Sequence, residues 1–283
     1  MKFSFTIIKN KKKTMNRNLF LKELRRNAFS FMMWTIIITL LITLTMSVYR
    51  TFMENQSKIT GMLSIIPKGA LQFKGISNIN DLMSVLGFYS VNNIIYMMVL
   101  GSIFSIVLSS NILLKEEYDK TAEYLLTRPL ARSEIFISKT GVVLLYVFLL
   151  NFVTSLVGFI CIEIVKNGPF SIKAFLILSF YTLLLNILFG AIGLFLSTMV
   201  KRAKPITTFG IGLVLIFYFI FTLSKITQGA SKLGYISPFK FANVDAINPS
   251  YSIDLWHLAY FLGITFLLIT LAWRVYRRKD IYT

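Results

Sequence analysis

Six stretches of the 283-residue chain run for at least 19 residues without Asp, Glu, Lys or Arg: Asn27–Tyr49, Leu82–Leu114, Thr140–Ile162, Ala174–Val200, Pro205–Ser224 and Leu255–Trp273. All thirty basic and twelve acidic residues fall in the other half of the chain. A bilayer core about 30 Å thick takes roughly 20 apolar residues of helix, so each stretch is long enough to cross. The expected fold is an all-α polytopic membrane protein with six transmembrane helices, at about residues 31–50, 91–114, 140–162, 174–200, 205–224 and 255–274. The second window is 33 residues long. As continuous helix that is about 50 Å, so Leu82–Ser90 is expected to lie along the outer interface.

The polar positions inside these windows are patterned. Thr35, Thr39, Thr43 and Ser47 recur every four residues on one helix face, where small hydroxylated residues serve close helix packing or line a pathway. Ser102, Ser105 and Ser109 share a face of span two, and Gly190, Gly193 and Ser197 one of span four. Asn151 and Asn186 stand near the centres of spans three and four. An amide in hydrocarbon needs a partner, so each is expected to bond to a neighbouring helix. Ahead of span one, Phe20, Leu24, Ala28 and Phe31 alternate with Arg17, Lys22, Arg25 and Arg26. This reads as an amphipathic interfacial helix, or as a cytoplasmic continuation of span one. Loop Thr51–Asp81 carries Gly61, Pro67, Gly69 and Gly75 and reads as irregular, while Lys225–Asp254 is unusually apolar for a loop, as short helices dipping into the outer leaflet or a folded external cap would explain.

Composition agrees: 55% of residues are hydrophobic and 15% charged, with a mean hydropathy of +0.69. A soluble domain carries about 25% charged residues. The net charge of +18 follows the positive-inside rule. With the N-terminus in the cytoplasm, 21 basic residues fall inside and nine outside. They are scattered over four loops and face lipid head groups, which argues against nucleic acid. Both termini are then expected in the cytoplasm. Residues 1–14 read as a disordered basic extension, with Met15 as a possible alternative start.

No nucleotide-cradling G-x-x-x-x-G-K-[ST] occurs. His257 and Cys161 are single, so neither a metal cluster nor a Ser/His/Asp set is expected, and no catalytic residue or cofactor. Arg50, Asp81, Glu163, Asp254 and His257 all lie near outer boundaries, leaving no ionisable group at mid-span to couple transport to an ion gradient. The energy source is therefore expected on another chain. Segment Lys115–Lys139 is the candidate contact: Glu116 and Lys120 form an i,i+4 pair, Tyr124, Leu125 and Leu126 present apolar surface, and Pro129 ends the turn.

The stretches NRNLFLKELRRN and EEYDKTAEYLLTRPLARSEIFISK, with six spans and an outer apolar segment before the last, resemble a permease subunit of the type-2 exporter family of ABC transporters, over about residues 15–280. The chain looks most like the branch annotated with multicopper-enzyme maturation, sodium or drug export. The resemblance implies an interfacial helix at about Asn16–Phe29 and a coupling helix at about Asp119–Thr127. It further implies outer re-entrant helices within Lys225–Asp254, and a permease homo- or heterodimer driven by two ABC ATPase subunits. Coupling would fall to Glu116, Asp119, Glu123, Tyr124, Leu125, Leu126 and Arg128. Spans two and five would meet at the dimer axis, with Ser102, Ser105, Ser109, Thr208, Gly212 and Tyr218 along the substrate pathway. A secondary transporter or channel is the alternative, distinguished by transport that needs an ion gradient and no ATP; a membrane enzyme or scaffold is a third class.

The charge count predicts the topology directly. Cysteines placed at Lys68 and Lys232 should label from outside intact cells, and those at Arg128 and Lys204 only from inside. External labelling at Arg128 would overturn the topology.

Overall fold

The computed structural model describes residues 15–73, 82–118, 131–199, 203–242 and 252–278. Among these residues every regular element is helical. Six helices are long and apolar enough to cross a membrane: Arg17–Glu54, Val85–Leu114, Arg132–Val165, Ile172–Met199, Ile206–Ile226 and Leu255–Arg278, spans one to six. Residues 1–14 lie outside the described residues.

Span two is the axle of the bundle. Of its apolar window 78% is buried inside the chain, against 11% for span six and 17% for span one. Spans two and four touch most intimately, and small residues permit it. A Cβ added to Gly193 would stand 2.8 Å from the Ile106 carbonyl oxygen and collide with Ser109 Oγ. A Cβ added to Gly210 of span five would stand 3.2 Å from the Ile106 side chain, so Ile106 is approached closely from two sides. The expected small-residue face of span four is thus its packing face. Gly158 of span three likewise makes room for the Tyr89 ring.

Spans one and three run side by side in the same direction. Asn16 N donates to Ser138 Oγ at 2.9 Å, and the Tyr146 hydroxyl to the Leu24 carbonyl. Asn16 caps the first helix by accepting from Leu19 N at 3.0 Å. From there the helix is unbroken to Ser47, so the lead segment is continuous with span one instead of a separate interfacial helix. Nothing in residues 27–33 interrupts it: no Gly or Pro is present, and the Phe31 ring packs on Tyr146 at 4.7 Å. The Thr35–Ser47 stripe does not form the packing face, which is Ile38, Ile42 and Met46. Its hydroxyls turn back to their own helix, Thr39 Oγ1 donating to the Thr35 carbonyl at 2.7 Å.

Two loops differ from expectation. Leu82–Ser90 does not lie on the interface. Ser84 caps a helix that begins at Val85 and leads straight into span two, with Phe88 covered by Tyr49 and Phe52 and Tyr89 by Phe175. Aromatic cover from spans one and four makes the bundle interior a better place for this apolar turn than the interface. The stretch after span one is helical where an irregular loop is expected. Gln56–Ile65 accommodates Gly61, and only Pro67 breaks the path before Lys68–Phe73.

The apolar segment before span six folds back along span five. A 3₁₀ stretch, Gln228–Ile236, leads to a short helix, Pro238–Ala242. Ser237 Oγ donates to the Phe217 carbonyl at 2.7 Å, nine residues, or about 14 Å of helix, before the end of span five. Phe239 is completely buried among Phe189, Tyr218 and Phe221.

The Gly193 contact can be tested by thermal unfolding in detergent. Gly193→Ala should cost about 1–3 kcal/mol, because backbone cannot move aside for the methyl group. Gly212→Ala, whose Cβ meets nothing within 4 Å, should hold or raise the midpoint, since alanine favours a helix interior over glycine by about 0.5–1 kcal/mol. Equal midpoints for the two variants would remove the close-contact account.

Candidate functional site

Three spans meet through buried polar groups near the middle of the bundle. Asn186 of span four is fully buried. Its Nδ2 donates to Asn151 Oδ1 of span three at 3.1 Å and to the Met97 carbonyl of span two at 3.3 Å. Its Oδ1 accepts from Ser102 Oγ at 3.1 Å. Asn151 Nδ2 in turn donates to the Val147 carbonyl at 2.8 Å. The two central amides read from the sequence therefore bond to each other and bind three spans together. Met97 lies in a π-helical turn, Ile94–Val99, between Asn93 and Leu100. Such a turn shifts the backbone ladder from i,i+4 to i,i+5, which disturbs the regular pairing of carbonyls and lets one accept from outside. Gly101 completes the pocket for the amide: a Cβ there would stand 2.6 Å from Asn186 Nδ2.

Two further rungs flank this junction. Asn93 Nδ2 donates to Thr182 Oγ1 at 3.2 Å, joining spans two and four. Thr207 Oγ1 donates to Asn111 Oδ1 at 3.0 Å, joining spans five and two. Among the described residues no group of three His, Cys, Asp or Glu is placed to hold a metal ion.

At the end of the bundle that carries Arg17 and Arg278, the ends of spans two and three are fastened across the loop between them. Lys139 is fully buried, and its ammonium donates to the Ile112 carbonyl at 2.6 Å. An ammonium taken out of water is costly unless hydrogen-bonded, so this contact is a strong positional constraint. Lys139 reads in the sequence as one more loop cation, and nothing in its spacing marks it as buried. Glu23 is buried too, with Oε2 3.6 Å from Arg26 Nε.

Of the expected coupling residues, Asp119, Glu123, Tyr124, Leu125, Leu126 and Arg128 lie outside the described residues. Glu116 lies on the helix Leu100–Tyr118 that extends span two. Of the expected pathway residues, Ser102, Ser105 and Ser109 are fully buried inside the chain, where Ser102 meets Asn186 and Ser109 meets Gly193. Tyr218 is buried against Phe239. Thr208 sits on the exposed side of span five with Phe209, Leu215, Ile216 and Phe219. Gly212 is half-buried. The expected set is thus divided: the serines of span two lie inside the chain, Tyr218 is buried against the segment before span six, and Thr208 is on the outward face of span five.

His257 lies 3.7 Å from Asp254 and edge-on to Tyr181 and Phe241. Cys161 is partly buried beside Thr43. Both are used in packing.

A bundle of six helices long and apolar enough to cross a membrane, tied by buried amides, is the architecture of a polytopic membrane protein. The chain matches the family described as ABC-2 family transporter protein over residues 17–281 and belongs to that family. It is accordingly the permease component of an ABC transporter, which works in a membrane with ABC ATPase subunits. No curated protein sequence matches it.

The amide junction generates a stability prediction. Membrane-buried side-chain hydrogen bonds are worth about 0.6 kcal/mol on average and at most about 1.7. Asn186→Leu breaks three of them and should lower stability by about 1–3 kcal/mol. Asn92→Leu, whose amide bonds only to the Phe88 carbonyl of its own helix, should cost less than about 1 kcal/mol. An unchanged unfolding midpoint for Asn186→Leu would show that the junction does not hold the three spans.

Proposed function

We propose that this chain is the substrate-conducting subunit of an ATP-driven exporter in a prokaryotic plasma membrane, with both termini cytoplasmic, working as a permease dimer on two ATPase subunits. The family match along nearly the whole chain carries this reading. The fastened base of the loop between spans two and three supports it. Lys139 and Ile112 fix where the loop leaves and returns, so a push on the loop is delivered to span two, the most enclosed helix. Through Gly193, Gly210 and Asn186 span two is bound to its neighbours, and the bundle would move as a body.

The substrate pathway is proposed along the outward face of span five near Thr208 and Gly212, against the second permease, with the serines of span two backing it from inside. Segment 228–242 is proposed to dip into the outer leaflet. The family accounts for the absence of a mid-span ionisable group without invoking an ion gradient.

In the coupling segment, Tyr124, Leu125 and Leu126 are proposed to fill a groove on the ATPase, while Glu116, Asp119, Glu123 and Arg128 set register. Buried anchors at such contacts cost roughly 2 kcal/mol or more when truncated, and rim charges typically less than about 1 kcal/mol. Tyr124→Ala or Leu125→Ala should therefore weaken co-purification with the ATPase or uncouple ATP hydrolysis from transport, while Lys120→Ala changes little. Wild-type assembly, hydrolysis and transport in both apolar variants would refute this coupling element.

A further inference from the structure

After span one the chain builds a helical arm at the end of the bundle opposite the termini. It runs through Tyr49–Glu54, Gln56–Ile65 and Lys68–Phe73. Three contacts hold it down. Before the middle helix, the Phe52 ring packs on Phe88 at 5.3 Å, close to the start of span two. Within it, Leu63 packs against the apolar core. After it, a Cβ on Gly69 would stand 3.3 Å from the side chain of Ile226, the last residue of span five. Span five is 21 residues long, about 32 Å of helix against a hydrocarbon core of about 30 Å. Gly69 is therefore level with the edge of the hydrocarbon. Tied at both sides and along its own length, the middle helix lies across the bundle at that level instead of standing up from it.

This helix is amphipathic. Ile59, Met62 and Leu63, with Ile66 just beyond, follow the spacing i, i+3, i+4, i+7 of one apolar face. Ile59 and Leu63, on the side toward the bundle, are half-buried. Met62 and Ile65, three residues apart on the outer flank, remain 68% and 83% exposed. Lys58, four residues before Met62, shares that flank and is exposed. Ser57, Gly61 and Ser64, spaced four and three apart, form the opposite flank and are exposed as well. The spans that hold the arm are peripheral: only 17% of the apolar window of span one and 33% of that of span five is buried inside the chain. The apolar flank is also small. Met62, Ile65 and Ile66 together expose far less than the roughly 800 Å² per partner that a stable protein interface buries. Lipid, which needs no such area, is the occupant that fits.

We propose that Gln56–Ile65 is a membrane-surface anchor that lies in the head-group layer and fastens the arm between spans one and five to the leaflet. Met62 and Ile65 enter the acyl boundary, Lys58 extends its apolar stem along them to reach the phosphates, and Ser57 and Ser64 face water. The anchor depends neither on the transport cycle nor on which side of the membrane this end faces.

The test is spin-label accessibility in the full-length chain, reconstituted in vesicles of phosphatidylglycerol and phosphatidylcholine. Ser57, Met62, Ser64 and Ile65 are all exposed, so a nitroxide at any of them displaces no packing. Each is replaced singly by cysteine in a Cys161→Ser background and labelled, and unfolding midpoints confirm that every variant is folded. Power saturation then compares collisions with oxygen, which concentrates in the acyl layer, and with a water-soluble nickel chelate. The ratio of oxygen to chelate should be about threefold or more higher at Met62 and Ile65 than at Ser57 and Ser64, as for a helix with one flank in the acyl boundary. A label at Leu44, 57% exposed on span one, sets the value for full contact with lipid. Equal chelate access at all four positions overturns the anchor, the helix then standing in water. Low collision with both reagents at Met62 and Ile65 overturns it also, since a second copy or another protein would then cover that flank.

Discussion

In hydrocarbon a polar group has no water to fall back on, and the Asn186 carboxamide is where this rule organises the molecule. Its two donated bonds and one accepted bond reach spans two and three from span four. Removing any partner would strand another buried group, so each constrains the rest. The π turn at Ile94–Val99 belongs to the same arrangement, because it is there that Met97 offers its carbonyl sideways. Gly101 is required in turn, since any larger residue would occupy the space of the amide. Apolar packing in lipid drives helices together only weakly, so these directional contacts and the close glycine crossings set the arrangement of the spans.

The division of labour among the spans follows. Spans two and four make the interior, and spans one and six stand outside with most of their apolar surface uncovered. The same hydrophobicity serves both positions, so only the small and polar residues tell them apart. Span four carries Asn186, Gly190 and Gly193 on its inward side, whereas span six presents Leu262, Phe266 and Leu267 outward. The loop between spans two and three is attached at its base to the most enclosed helix, by a lysine whose charge is satisfied inside protein. That places the most enclosed helix of the bundle next to the segment through which an ATPase would act.

Much of this was legible from residue order. Six uncharged windows located six spans, and central asparagines foretold contacts between them, because bilayer thickness and the cost of an unpaired amide are both local rules. The ends of helices were less legible. Leu82–Ser90 was expected on the interface since a 33-residue helix is longer than a bilayer is thick; the aromatic cover from Tyr49, Phe52 and Phe175 comes from distant sequence and carries no local mark. The serines of span two read equally well as pathway or packing, and only the position of span four shows what they touch. The burial of Lys139 was hidden for the same reason: its partner is a backbone carbonyl, which every residue possesses.

The return of residues 228–242 along span five bears on how the chain comes to be assembled. Phe239 has no seat until Phe189 of span four and Tyr218 and Phe221 of span five stand side by side. The Asp254 amide, just before span six, then donates to the Tyr181 hydroxyl of span four at 2.9 Å. Each late contact thus uses a surface completed by earlier-synthesised spans. For these contacts, the order in which the ribosome delivers the chain is also the order in which the binding surfaces are completed.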